Sequence, residues 1–387
     1  MDARGIQLPV DRPLKAFNPI HALIMVLSSG IVLALNLSKP YKWTYFAAYL
    51  VYVLYLFGTT TSDKLWDYTL GSLLTANTLM TFPVLFLADP IRDWRHKSDE
   101  GKNPAFVRGI GWNYSFSYIP RLPRVSNTRF IIKGLLKCLV YFLAMDAAQI
   151  YITTHPEIFS SSVEVPLPDR PLHIRTIVVG MSALIMSVGL SMDYVLLAVV
   201  VQSMAWLSEW PTTPADWPDN FGSILDAYTI RNFWSKTWHQ MFTRSFVLVT
   251  KSLFHFLHIP REGTIARFAF LCVVFCLSGI THSGGDVMVS NSAFHPSLLF
   301  GPSFVFFLLQ PAGITFESTA IALARRAGMP NNWKLWRFVG YTWTLGWFSY
   351  TATGFYDGMM KAGTLDGQPM PLSVLRPLGR ALGISTF

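Results

Sequence analysis

Residues 174–206 read IRTIVVGMSALIMSVGLSMDYVLLAVVVQSMAW, and this apolar run decides the class of fold. A helix needs about 20 apolar residues to cross a hydrocarbon core about 30 Å thick, because lipid offers unpaired backbone groups no hydrogen-bond partner. The run is longer than one span and contains Gly189 and Asp193. It therefore predicts either one long tilted membrane helix or two shorter ones.

Similar apolar runs recur on both sides of this one, without a polar domain between them. They are residues 19–37, 43–58, 69–87, 130–151, 246–259, 265–282, 297–323 and 336–356. No internal repeat or inverted symmetry is apparent. The sequence therefore predicts an all-α, polytopic integral membrane protein with about eight to ten transmembrane helices, in which residues 1–387 form a single membrane domain.

Composition and charge agree with a membrane protein. Hydrophobic residues make up 51% of the chain and charged residues only 14%, whereas soluble domains carry about 25% charged residues. The net charge of +9 comes from Lys and Arg in loops and at helix ends rather than along one polar face, so we expect no nucleic-acid partner. The polar stretch 89–129 is the most basic, and an excess of Lys and Arg predicts that it faces the cytosol.

The three cysteines, Cys138, Cys272 and Cys276, all lie in apolar stretches. Cys272 and Cys276 share a helix face, but no cluster of other cysteines or histidines accompanies them. We therefore expect buried small side chains, with neither a disulfide framework nor a metal site. The polar N-terminus contains Pro13 and lacks a small-residue cleavage pattern, so a cleaved signal peptide is not expected.

Residues 231–244, RNFWSKTWHQMFTR, concentrate ionisable and aromatic side chains. They lie in the moderately apolar stretch 224–246, which three prolines between 211 and 218 precede. The prolines favour a loop that enters or skirts the membrane, and the stretch after them favours an amphipathic or partly buried helix. On a helix, Asn232 and His239 would lie close to two turns apart and share one face.

A second concentration of polar residues, THSGGD at 281–286, ends the apolar run from residue 265. Low dielectric favours the neutral form of an imidazole, which is the form that a general base needs, so His282 is a candidate base. Gly284 and Gly285 would let a substrate or another backbone approach closely. Asp286 could orient the imidazole ring.

Each of these residues also has an ordinary structural interpretation. His239 or His282 can hydrogen-bond a neighbouring carbonyl, and Trp234 and Trp238 can anchor the chain at the membrane interface or pack against other side chains. Ionisable groups inside membrane segments are nevertheless costly, so each one is a functional candidate. The order and spacing of several motifs together favour the functional interpretation.

Three short sequences in order, WPDNFGS at 217–223, DAY at 226–228 and RNFWSKTWHQ at 231–240, resemble the signature of fungal wax synthase-like acyltransferases. Upstream, RGIGWN at 108–113 resembles a loop motif of the same group, and His282 falls where the group has its second histidine. The resemblance covers about residues 108 to 286, and its core motif region is 208–286.

This group is similar in turn to the membrane-bound O-acyltransferases. There too an aromatic segment ending in tryptophan and histidine or asparagine precedes, by some forty residues, a histidine in an apolar helix; here the interval is 43 residues (282 − 239). The resemblance implies a helical bundle around a tunnel in which an acyl-CoA meets a hydrophobic alcohol. It implies that His282 is the general base, and that His239 or Asn232 hydrogen-bonds the thioester carbonyl or holds the other imidazole.

Coenzyme A carries several phosphate charges, which require cations at the cytosolic mouth of such a tunnel. Arg231, Lys236 and Arg244 are the candidates, although positive-inside anchoring explains them equally well. Trp234 or Trp238 would stack on adenine or line the acyl channel. The acyl-CoA is a co-substrate, and no bound cofactor is expected.

The resemblance is strongest to enzymes that acetylate terpenoid, meroterpenoid or polyketide alcohols, which implies acetyl-CoA as donor and the endoplasmic reticulum as location. The alternative within this class is a long-chain wax ester synthase. From another class, a proton-coupled transporter would use His239, His282, Asp146 and Asp193 as a relay. A non-catalytic membrane scaffold would need neither histidine.

Overall fold

A computed structural model describes residues 15–61, 64–87, 125–208, 212–260, 262–290, 300–329, 334–366 and 372–383. Within these ranges the chain is almost wholly helical, which confirms the all-α prediction. The thirteen α-helices are α1 (Ile20–Ala34), α2 (Lys39–Thr59), α3 (Lys64–Phe86), α4 (Asn127–Thr154), α5 (Pro156–Phe159), α6 (Leu172–Ser208), α7 (Ile230–Asn232), α8 (Thr243–Phe256), α9 (Thr264–Val289), α10 (Pro302–Arg326), α11 (Lys334–Thr351), α12 (Thr353–Lys361) and α13 (Leu375–Ala381). One parallel pair of two-residue strands, β1 (Lys15–Ala16) and β2 (Thr60–Thr61), accompanies them.

The long apolar run forms one continuous helix, α6, of 37 residues rather than two shorter ones. Gly189 does not break it, and it lies against α4, where a Cβ on this residue would be 3.2 Å from the terminal methyl of Met145. The run 336–356, by contrast, is divided into α11 and α12 by a break at Ala352.

Four helices in the described part of the chain are long and apolar enough to cross a membrane. They are Trp66–Phe86, Leu172–Leu207, Thr264–Val289 and Pro302–Arg326. The remaining apolar runs also fold as helices, although by length and composition they do not qualify as spans. The chain is therefore a helical membrane protein, with four candidate spans in the residues that the structure describes.

The chain divides into two compact units. The first comprises Met1–Asp89, Phe242–Ala312 and Asp357–Gly367. Its main packing is between α3 and α9, which lie so close that a Cβ on Gly284 would be 2.5 Å from the carbonyl oxygen of Gly71. Small residues that let two helix backbones approach are the usual device of membrane helix packing.

The second unit comprises Pro90–Met241, Gly313–Tyr356 and Gln368–Phe387. Here α4 packs along α6, and α11 is joined to α6 by a 2.9 Å hydrogen bond between Thr176 and Ser349. The fully buried carboxylate of Asp146 on α4 accepts the backbone N–H groups of Val374 and Leu375 at 2.8 and 2.9 Å. Asp146 thus ties the start of α13 to α4.

Candidate active site

The sequence-based prediction of one helix over 224–246 is wrong. The structure has a 3₁₀ turn at Ile224–Asp226, the single turn α7, a π-turn at Phe233–Thr237 and then an extended residue, Trp238, before α8 begins. The N–H of Trp238 donates to the carbonyl of Phe233 at 2.7 Å, the wide spacing of a π-turn. Partners outside the segment, rather than a continuous helix ladder, satisfy much of its backbone.

Asn232 and His239 therefore do not share a helix face, because the helical geometry ends at Thr237 and Trp238 has extended backbone angles (φ −73°, ψ 153°). The N–H of Asn232 is capped by the hydroxyl of Thr229 at 3.0 Å. The half-buried ring of His239 lies edge-on to Phe221, with 5.6 Å between the ring centroids. The two residues belong to one irregular segment, but Asn232 lies in a helical turn and His239 follows an extended residue.

A buried carboxylate from α10 holds the start of this segment. Glu317, 6% exposed, accepts the backbone N–H of Ile230 at 2.6 Å and that of Arg231 at 3.3 Å. The guanidinium of Arg231 also reaches α10, donating to Ser318 at 3.1 Å. The sequence motifs missed Glu317, although an acidic residue inside an apolar span is costly unless it has partners and so indicates a functional or structural role.

The glycine of the WPDNFGS motif has a steric role. The N–H of Gly222 donates to the carbonyl of Thr237 at 2.9 Å, and a Cβ on Gly222 would overlap the carbonyl oxygen of Lys236. The hydroxyl of Thr237 in turn donates to the carbonyl of Ser223 at 3.0 Å. The motif loop and the π-turn are therefore joined backbone to backbone, which only glycine permits at this position.

The two tryptophans of the motif pack against each other and their neighbours. The rings of Trp234 and Trp238 lie 6.2 Å apart edge to face, and Phe233 stacks on Trp238 at 5.3 Å. The side-chain amide of Gln240 donates to the carbonyls of both tryptophans, at 2.6 and 2.9 Å. Phe348 of α11 completes the cluster, 4.5 Å from Phe233.

The three cations predicted to bind phosphate do not all belong to the same unit. Arg231 and Lys236 are exposed in the second unit, and Arg244 is half-buried in the first turn of α8 in the first unit. The upstream motif at 108–113 and most of the basic stretch 89–129 lie outside the described residues.

His282 lies inside α9 rather than at its end, because the helix continues to Val289. Its half-buried ring stacks on Phe307 of α10, with 4.5 Å between centroids and 13° between planes. The hydroxyl of Tyr68 on α3 lies 3.1 Å from Nδ1 of the imidazole. Phe307 and Tyr68 thus both hold the side chain.

Asp286, predicted to orient His282, is linked to it through two other side chains. Its carboxylate accepts the hydroxyl of Ser303 at 2.7 Å and the backbone N–H of the same residue at 3.3 Å. The hydroxyl of Ser303 lies 3.3 Å from that of Tyr68. Asp286, Ser303, Tyr68 and His282 form a continuous hydrogen-bonded chain in the first unit.

The glycines after His282 serve the approach of another backbone. A Cβ on Gly284 would overlap Thr75, and one on Gly285 would lie 2.7 Å from the hydroxyl of Ser72 and the ring of Tyr68. Close contact of α9 with α3 brings Tyr68 to the imidazole.

Tyr68 and Ser303 were missed from the sequence, because they lie 214 and 235 positions from their hydrogen-bond partners. One signal was available: Tyr68, Gly71, Ser72 and Thr75 follow the i, i+3, i+4, i+7 spacing of a single helix face. A small and polar face on an apolar helix indicates packing against another helix.

Among the residues that the structure describes, no group of three or more His, Cys, Asp or Glu side chains could hold a metal ion. The half-buried thiols of Cys272 and Cys276 are unpaired with any other cysteine.

Comparison with known proteins confirms the resemblance read from the motifs. Residues 217–309 match the membrane bound O-acyl transferase family. The chain is 28% identical to the acetyltransferase ple2 of Rhodocybe pseudopiperita over 87% of its length and 90% of the relative's, and 27% identical to the acetyltransferase eriL of Hericium erinaceus over 88% and 91%. It is 28% identical to the O-Mevalon transferase macI of Penicillium terrestre over 63% and 58%. No solved structure matches the chain.

Proposed function

We propose that this chain, whose residues 217–309 match the membrane bound O-acyl transferase family, moves an acyl group from a coenzyme A thioester to a hydroxyl group. The observation that carries the proposal is the placement of His282. The matched stretch contains this histidine in a helix apolar enough to span a membrane, with its ring held by Phe307 and Tyr68.

The reaction needs a base for the alcohol proton. In our proposal the alcohol oxygen attacks the thioester carbonyl directly while His282 takes its proton, and the bond to sulfur then breaks. The proton passes to the departing thiolate, so the products are an ester and free coenzyme A. A well-placed base contributes on the order of 10² to 10⁴ in rate, and this role requires the neutral imidazole.

His239 or Asn232 is proposed to hydrogen-bond the thioester carbonyl, where negative charge develops during attack. The π-turn, the cap from Thr229 and the carboxylate of Glu317 support this role, because they hold the backbone of the segment in a definite shape. A fixed donor costs no reorganisation when the charge forms.

The cations and tryptophans of the motif are proposed to bind coenzyme A. Exposed Arg231 and Lys236 suit phosphate recognition, and Arg244 is the third candidate. Trp234 and Trp238 already pack in an aromatic cluster, so any stacking on adenine would use the outward surface of that cluster.

The resemblance to the family supports a proposal for the finer architecture. We propose about eight to ten membrane helices around a tunnel, with the basic stretch 89–129 in the cytosol and the protein in the endoplasmic reticulum. Shorter helices such as α1, with 15 residues, would contribute to that number.

The donor is proposed to be acetyl-CoA, and the acceptor a terpenoid, meroterpenoid or polyketide alcohol. Two relatives that align over nearly their whole length are named acetyltransferases, which favours acetyl over a long-chain wax donor. Another is named an O-Mevalon transferase, so donors other than acetyl belong in the test. Asp146 counts against the proton-coupled transporter, because its carboxylate accepts backbone N–H groups that tie α13 to α4.

The test is acyl transfer by the purified chain in lipid nanodiscs, with acetyl-CoA and a panel of terpenoid and polyketide alcohols, read as free thiol and as ester by mass spectrometry. His282→Ala should abolish transfer while the protein remains folded. His255→Ala is the matched control, since His255 is exposed on α8 of the same unit. Equal turnover of His282→Ala and the unaltered chain would remove His282 from catalysis, and ester formation from palmitoyl-CoA alone would make the wax synthase the better assignment.

A further inference from the structure

One direction of donation places a proton in all three contacts of the hydrogen-bonded chain from Asp286 to His282. A carboxylate only accepts, and it lies 2.7 Å from the hydroxyl of Ser303, so the single proton of that hydroxyl points to Asp286. The oxygen of Ser303 is then available to accept from Tyr68, 3.3 Å away.

The same argument continues to the imidazole. A tyrosine hydroxyl has one proton, and when that proton points to Ser303 the phenolic oxygen faces Nδ1 of His282, 3.1 Å away, as an acceptor. In this arrangement Nδ1 carries the ring proton, which leaves the lone pair of a neutral imidazole on Nε2.

We propose that Tyr68, Ser303 and Asp286 are positioning residues that hold His282 in the tautomer with its proton on Nδ1 and present Nε2 as the catalytic base. This inference rests on the proposed acyltransferase function. Burial supports it, because Tyr68 is 4% exposed and Ser303 0%, so bulk water does not compete for these hydrogen bonds. Phe307 adds a second constraint by stacking on the ring and opposing its rotation.

Three variants interrupt the chain at successive positions: Tyr68→Phe, Ser303→Ala and Asp286→Asn. Each should lower kcat by about tenfold to a hundredfold, the effect of losing an outer partner of a functional histidine in metal sites, while KM for the acyl donor changes by less than about twofold. Tyr49→Phe is the matched control, because Tyr49 is a buried tyrosine of the same unit in the cluster of Met25, Val53, Leu56 and Leu74. Its kcat should equal that of the unaltered chain.

The sharpest test combines two changes. In Ser303→Ala the proton of Tyr68 loses its acceptor and turns to Nδ1, which favours the wrong tautomer. Adding Tyr68→Phe removes that competing donor, so the double variant should be at least as active as Ser303→Ala alone. If these side chains only held α3, α9 and α10 together, the two losses would multiply, and a double variant slower than either single variant would overturn the proposal.

The tautomer can also be read without any activity. In ¹⁵N-histidine-labelled protein, with the His282 signal assigned from its loss in His282→Asn, Nδ1 should have the shift of a protonated nitrogen and Nε2 that of an unprotonated one. In Ser303→Ala the assignment should reverse, with the shift of an unprotonated nitrogen at Nδ1 and that of a protonated one at Nε2. An unprotonated Nδ1 in the unaltered chain would refute the positioning role of Tyr68, Ser303 and Asp286 even if acyl transfer is observed. The expected shifts in a chain without acyl transfer would instead support the tautomer and remove the proposed function.

Discussion

Two segments carry the candidate histidines, and they are built in opposite ways. His239 follows an irregular stretch whose backbone is held by distant partners: Glu317 at its start and Gly222 at its end. His282 lies in a regular helix, α9, and its surroundings come from side chains on α3 and α10. The first arrangement, around His239, should lose its structure when one hydrogen-bond acceptor is removed. The second arrangement, around His282, should lose its structure when the close packing of two helices is disturbed.

The largest effect is expected for Gly284→Ala, which should break the second arrangement. The new Cβ would lie 2.5 Å from the carbonyl oxygen of Gly71, a backbone atom that cannot move alone. Overpacking of this kind costs about 3 kcal/mol, and the separation of α3 from α9 should remove activity. Gly346→Ala is the control, because a Cβ there meets nothing within 4 Å. Thermal unfolding in nanodiscs should show a lower midpoint temperature for Gly284→Ala than for the unaltered chain, and an unchanged midpoint for Gly346→Ala. Equal midpoints for the two variants would contradict the packing argument.

The next effect is expected for Glu317→Ala, which should break the first arrangement alone. The buried N–H of Ile230 and the part-buried N–H of Arg231 would lose their acceptor, at a cost of about 1 to 3 kcal/mol for the buried group. Hydrogen exchange followed by mass spectrometry should show faster exchange in residues 228–240 and unchanged exchange in 275–289. Exposed Glu262→Ala is the control. Faster exchange in both regions would mean that Glu317 supports the whole protein rather than this segment.

A smaller effect is expected for Lys236→Ala, which sharpens the comparison by testing what the first segment binds. Lys236 is exposed, and an exposed ion pair contributes at most about 1 kcal/mol. KM for acetyl-CoA should rise about two- to fivefold with kcat unchanged, and added salt should reduce the difference. Lys133→Ala, exposed on α4, should behave as the unaltered chain. A fall in kcat without a change in KM would move Lys236 from donor binding to the chemical step.

The smallest effect is expected for the double variant Cys272→Ala with Cys276→Ala. Both thiols are half-buried on α9, and neither is needed when attack on the thioester is direct. Turnover should stay within about twofold of the unaltered chain, because a thiol in apolar surroundings is a poor nucleophile. Loss of turnover with the protein still folded would indicate a covalent acyl-enzyme and make His282 the activator of a thiol.

The helices could be predicted from the sequence because an apolar run is a local property. The runs at 19–37 and 43–58 fold as α1 and α2 with small changes at their ends. The stretch 224–246 could not be predicted in the same way. Its own residues suit a helix, but Glu317 lies 87 positions from the N–H of Ile230 that it accepts, and no local pattern reports that partner.

The candidate site was predictable to a similar extent. The motifs located Asn232, His239 and His282 because their residue types and order are written in the chain. The hydrogen-bonded chain from Asp286 to His282 could not be located, since Tyr68 is linked to His282 and to Ser303 only after the helices have packed.

By itself, the sequence determined that this is a helical membrane protein with two histidine-bearing motifs, because hydrophobicity and residue order are properties of the chain alone. Only the tertiary structure decided which atoms surround each histidine. Contact between α3 and α9 depends on glycines at facing positions, and it brings Tyr68 to the imidazole of His282. Such hydrogen bonds join residues that are far apart in the chain, so they exist only after the helices have packed.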